Sequence, residues 1–165
     1  MIRIRFVTGN DFASKLIRLQ AGVSMPFTPS HAEAVSQDGQ SYIGAHLDGG
    51  IRARPIDYDA GELLTLPDGS KSERVVSLPC TPGQEAAFYA FVNSKIGEPY
   101  DWKSILSFID PAENLHDLDH IICSAFMTYA LRACGFFTWP LTVPFHHISP
   151  RDLFLMLSGR VEIPH

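Results

Sequence analysis

Apolar residues recur at every second position in "MIRIRFVTG", which predicts a short opening strand. The period then lengthens. "DFASKLIRLQAG" reads as a short helix, with Asp11 placed to cap it and Gly22 to stop it. Three strand-like runs follow, "SHAEAVS", "SYIGAHL" and "IRARPID". They are separated by "QDGQ" and "DGG", both strong hairpin-turn signals, so an antiparallel meander is expected. "RVVSLPC" is a further strand candidate.

Beyond residue 80 the pattern turns helical. "TPGQEAAFYAFVNSKIG" carries a full set of boundary signals: Thr81 as cap, Pro82 in the first turn, Gln84 to complete a capping box and Gly97 to end it. "EPYDWKSILSFI" predicts a second short helix and "DPAENLHDLDH" a polar connection. "ICSAFMTYALRACG" is the central late helix, closed by Gly135. "SPRDLFLML" repeats the cap-then-proline start, and "GRVEIP" is compatible with a last strand. Strands first and helices afterwards predict an α+β fold, an antiparallel sheet or small barrel packed against helices, in one domain over residues 1–165.

A length of 165 residues supports a real core without staples. The net charge of −5 and the scattered basic residues argue against a nucleic-acid surface. No apolar run approaches the ~20 residues of a membrane span. "MIRIRFVTGNDF" has no signal-peptide core, so synthesis in a cytoplasm is the expectation. Three cysteines, Cys80, Cys123 and Cys134, make an odd count that argues against a disulfide framework. On one helix, Cys123 and Cys134 would stand about 16 Å apart at ~1.5 Å per residue, too far to pair.

Cys123, in "HIICSAFMTYALRACGF", is the residue with chemical promise. Free cysteine is usually inert packing. At a helix start, however, the positive dipole end favours the thiolate, the form that acts as a nucleophile. A nucleophile needs a base, and His31 in "FTPSHAEAVSQDG" is the candidate, on a strand whose Ala32 and Ala34 face the other way. His120, three residues before Cys123, is a rival. Although the chain has seven histidines, including the pair His146 and His147, it has no CxxC or HExxH spacing. No metal and no cofactor are therefore expected.

The ordered set "SHAEAVSQDGQSYIGAHLDGG", "GEPYDW" and "HIICSAF…ALRACG" resembles the circularly permuted papain-like family. That group includes YiiX-type proteins and lecithin:retinol acyltransferase, and is related to NlpC-type cell-wall peptidases. The resemblance covers roughly residues 28 to 157, and no one of its three motifs is specific alone. It implies Cys123 as nucleophile and His31 as general base. Two departures stand out. The family's Cys-Ser-Glu is Cys-Ser-Ala here, with Ala125 in third place, and the position of the usual histidine-orienting residue falls near Gly44. His46 is the expected substitute orienter, ahead of Glu33, which reads as a solvated strand residue. Tyr100 is expected to help hold an oxyanion beside the Cys123 backbone N–H, with Asp101 as a helix cap and Trp102 as a core aromatic.

The resemblance thus implies a cysteine peptidase or amidase acting on peptidoglycan peptides; with no signal-peptide core in the sequence, a phage- or prophage-borne enzyme delivered to the wall or carried in a virion fits that expectation. The alternatives are a lipid amide or ester hydrolase or acyltransferase of the same fold, or an inactive binding or structural module such as a virion component.

Overall fold

The computed structural model describes residues 1–9, 27–46, 50–98, 118–137 and 148–159. Within them the fold is α+β. The strands are β1 (Ile2–Val7), β2 (His31–Val35), β3 (Ser41–His46), β4 (Gly50–Pro55) and β5 (Glu73–Leu78). The helices are α1 (Pro82–Ser94), α2 (Leu118–Ala133) and α3 (Pro150–Ser158).

The five strands form one sheet in the order β4-β3-β2-β1-β5, every pair antiparallel. The expected meander is present as β2-β3-β4. Its tight turn carries Gly39 at φ 73°, a left-handed conformation that glycine adopts without strain. The opening strand is central: β1 pairs with β2 on one side and β5 on the other. Along β1 every residue but Arg3 is buried, Arg5 included, which matters below.

Alternation sorts the strand residues into two layers. Ile2, Ile4, Phe6, Ala32, Ala34, Ile43, Ala45, Val76 and Leu78 belong to one buried apolar cluster. Phe88 and Val92 of α1, Met127 and Leu131 of α2, and Leu153 and Leu157 of α3 complete it. Each large apolar side chain buried in this way contributes roughly 1.5–3 kcal/mol. Helix α2 lies against β2 and β3. The small side chains of Ala32, Ala34 and Ala45 let it approach there.

The helix boundaries follow their local chemistry. Thr81 and Gln84 form the expected capping box at α1, and Ser149 with Asp152 forms another at α3. Helix α2 ends in a Schellman motif: Phe136 N–H donates to the Leu131 carbonyl, Gly135 N–H donates to Arg132, and Gly135 has φ 69°. Its start differs from expectation. Leu118, Asp119 and His120 were expected in a polar connection, yet they already form its first turn. The helix expected at 11–22, the one expected at 98–109 beyond its first residue, and the strand expected after Gly159 lie outside the described residues. Among those residues, no helix is long and apolar enough to cross a membrane.

Candidate active site

His31 begins β2, and the local bonding fixes that start. Ser30 N–H donates to the Val7 carbonyl at 2.8 Å, and Gly9 N–H donates to Ser30 Oγ at 3.0 Å. The β1–β2 register pairs Val7 with His31 and Arg5 with Glu33. Two residues apart on one strand, His31 and Glu33 share a face, opposite the core face of Ala32 and Ala34. The β2–β3 register pairs Ala34 with Ile43 and Val35 with Tyr42. Continued along the strands, it sets Gly44 across from Glu33 and His46 across from His31. The two imidazole rings indeed lie 4.6 Å apart, centroid to centroid.

Glu33 is the hub of this layer, and the expectation that it is a solvated strand residue is corrected: it is fully buried. Oε1 lies 3.2 Å from His46 Nε2 and accepts a hydrogen bond from Tyr58 OH at 2.8 Å. The same oxygen is 3.4 Å from His31 Nε2, close enough for an ion pair but without the alignment of a hydrogen bond. Oε2 accepts from the Arg5 guanidinium at 3.0 Å. Gly44 makes the space: a Cβ there would fall 2.9 Å from Glu33 Cγ and 3.1 Å from Oε1. The strand position where an orienting side chain was expected is left bare, and the carboxylate reaches over it from the neighbouring strand.

Behind Glu33 stands a second row of charge. Arg5, 1% exposed, donates to both Asp59 oxygens at 2.8 and 2.9 Å and to Glu73 at 2.9 Å, and its guanidinium stacks 4.0 Å from the centre of the Tyr42 ring. Burial works against the Arg5 charge, but the hydrogen bonds to Asp59 and Glu73 outweigh it and hold the group firmly protonated. Burial likewise opposes ionisation of Glu33, yet the two imidazoles beside it hold its carboxyl well below the usual range. Tyr58 shifts upward, through burial and then the Glu33 charge, so it stays a donor. The segment that carries Tyr58 and Asp59 is tied down by turn bonds from Tyr58 N–H to Pro55 and from Glu62 N–H to Asp59, and by Leu64 N–H to Thr8.

Cys123 comes from α2 and is fully buried. Its side chain is the hydrogen-bonding and electrostatic partner of the His31 imidazole. Burial alone would depress the His31 pKa. The charge and hydrogen bond of Cys123, followed by the neighbouring Glu33 carboxylate, reverse that and hold the imidazole well above its ordinary value. The site opens at the rings, where the His31 and His46 side chains are 17% and 14% exposed.

One expectation about Cys123 is corrected. It does not sit at a helix start, because α2 begins at Leu118 and the cysteine falls in the second turn. There the backbone N–H already belongs to the i→i−4 ladder, and the dipole's influence has faded. Any activation of the thiol rests on His31 rather than on free helix amides.

The structure thus brings together Cys123, His31 and His46 from two strands and a helix. Tyr100, Asp101, Trp102, His146 and His147 lie outside the described residues. His120 is in the first turn of α2. Sequence reasoning gave Glu33 too small a role and missed Arg5, Tyr58, Asp59 and Glu73. Arg3 and Arg5 alternate alike along β1, yet of the two only Arg5 is buried, so the pattern alone did not mark it. Nothing local marks Tyr58 or Asp59, which reach the site through tertiary folding. Donor atoms of His31, Glu33 and His46 also lie within 4.8 Å of one another, a grouping not anticipated from the sequence. They come from two strands, so no short spacing could reveal them.

No protein-family model matches the chain, and no significant match was found among curated proteins or solved structures.

Proposed function

We propose that the protein is a cysteine hydrolase of the permuted papain-like type that cleaves an amide bond. The observation that carries this reading is the contact of the Cys123 thiol with the His31 imidazole, on a residue pair backed by the buried Glu33 carboxylate. Nucleophile, proton carrier and orienting anion are the three parts that thiol catalysis needs.

In the proposed reaction the Cys123 thiolate attacks the substrate carbonyl carbon, and the carbonyl electron pair moves to oxygen. When the tetrahedral intermediate collapses, the C–N bond breaks and His31 gives its proton to the departing nitrogen. Water, losing a proton to His31, then attacks the thioester, and the carboxylic acid leaves as the thiol reforms. Glu33 stabilises the imidazolium and fixes its orientation. His46 packs against the His31 ring and shares Oε1 of Glu33, so it supports the orienter rather than replacing it. With the Cys123 N–H in the helix ladder, the oxyanion needs another donor, and the resemblance offers Tyr100 for it.

The substrate class follows from the resemblance: a peptide of peptidoglycan. Digestion of purified peptidoglycan, with products read by mass and Cys123→Ser as control, tests it. New amide-cleavage products from the wild type alone support the reading. Unchanged wall fragments, with Cys123 still selectively alkylated, move the substrate to a lipid-linked amide or ester. A thiol no more reactive than the other two ends the hydrolase reading.

A further inference from the structure

The geometry points to a transition-metal site on the sheet face beside Cys123: we infer that His31, Glu33 and His46 bind one divalent ion of the zinc class, and that this ion silences the thiol chemistry. Silencing rests on the function proposed above; binding does not.

Two nitrogens and one carboxylate oxygen are the donor set that imidazole-preferring first-row ions take, and three protein ligands leave a fourth position open. Spacing supports the assignment. Ligands at Zn–N and Zn–O lengths of about 2.0–2.2 Å in a tetrahedron stand about 3.3–3.6 Å from one another. Glu33 Oε1 is 3.2 Å from His46 Nε2 and 3.4 Å from His31 Nε2, close to that spacing, and the donor atoms of all three residues lie within 4.8 Å of one another, so an ion fits once the side chains close around it. His31 Nε2 is buried and makes no hydrogen bond, although it lies 3.4 Å from this carboxylate. A buried nitrogen beside a carboxylate, not matched by a hydrogen bond, is one that a coordinated ion would satisfy.

The surroundings resemble a built outer shell. Arg5 holds Oε2 and leaves Oε1 as a single ligand atom, while Tyr58 OH donates to Oε1 from the side. Asp59 and Glu73 also converge on Arg5, so three carboxylates surround one guanidinium and the region favours a cation. Cys123 does not belong to the donor group. A coordinated His31 has no lone pair left at that nitrogen and no N–H to direct at Glu33. It can then neither stay imidazolium nor carry the proton, so the ion and the proposed catalysis exclude each other.

The test uses the full chain stripped with a chelator, titrated with Zn2+ by calorimetry and with Co2+ by visible absorption. The expected result is one equivalent bound, with the intense visible bands of tetrahedral cobalt and no thiolate-to-cobalt band in the near ultraviolet. Cys123→Ala should bind equally well. His46→Asn and Glu33→Gln should weaken binding by at least about tenfold, since even outer-shell losses reach that size. No saturable binding, a thiolate band, or unchanged affinity in His46→Asn overturns the inference. The wild-type spectrum decides the matter even where a variant fails to fold. Alkylation of Cys123 in the chelated protein judges the hydrolase reading separately, because metal binding is read in the Cys123→Ala chain as well.

Discussion

Glu33 occupies the space that a side chain at residue 44 would need: an added Cβ on Gly44 would meet Glu33 Cγ at 2.9 Å. The carboxylate does not swing aside cheaply, since Arg5, Tyr58 and His46 hold both of its oxygens. Gly44→Ala should therefore overpack the layer, at a cost of about 1–3 kcal/mol, and push Glu33 away from the imidazoles. Urea unfolding measures the cost, and hydrolysis should fall with it. A variant as stable as the wild type would show that the packing is slacker than this distance implies.

Arg5 is the cation that lets three carboxylates share one buried region. Arg5→Met preserves much of the volume but leaves Glu33, Asp59 and Glu73 without their counter-charge. Breaking a buried ion pair on one side costs about 3–5 kcal/mol, so this change should rank among the most destabilising in the chain. The loss should shrink in the double variant with Glu33→Gln, which removes one of the stranded anions. Additive losses in that double-mutant cycle would argue that Arg5 acts through shape alone.

Much of the fold could be read from the pattern of residues, and the reasons are local. Period-two runs marked β1 to β5, while Thr81, Ser149 and Gly135 marked helix ends through hydrogen bonds made within a few residues. Cys123 and His31 stood out because their side chains have few bland uses in combination. The rest of the site was hidden for a physical reason. Glu33 looked solvated because its neighbours on the second layer, Arg5 and Tyr58, come from 28 and 25 positions away and only the strand order puts them there. The helix-start reading of Cys123 failed because "LDH" is polar enough to pass for a loop and yet forms the first turn of α2.

Iodoacetamide should separate the three thiols. Cys134 donates to the Leu131 carbonyl at 3.1 Å, and burial pushes its pKa up, so it should react slowly in the folded chain. Cys123, in contact with the His31 imidazole, should react first despite its burial, provided the reagent enters at the open rings. His31→Ala should bring the Cys123 rate down to that of Cys134 or below, as read by peptide mass after timed quenching. Equal rates at all three sites in the wild type would leave Cys123 as packing.

Tyr58 offers the sharpest test of whether Glu33 positions His31 or merely fills a layer. Its hydroxyl is 2.8 Å from the same oxygen that faces both imidazoles. Tyr58→Phe keeps the ring, which packs edge-on against His46 with centroids 5.8 Å apart, and removes only the donor. A hydrogen bond to a charged acceptor is worth about 1.5–3 kcal/mol, so stability should drop by an amount in that range. If Glu33 only fills space, the activity lost should match the unfolded fraction. If it orients the imidazole, kcat should fall in the fully folded protein, with KM little changed, because the geometry of proton transfer is disturbed while the substrate surface is not. Restoring the donor with a different side chain is hard at this site. The useful comparison is Tyr58→Leu, which loses both ring and donor: a kcat no lower than that of Tyr58→Phe would assign the effect to the hydroxyl, and a much larger fall would assign it to the packing against His46.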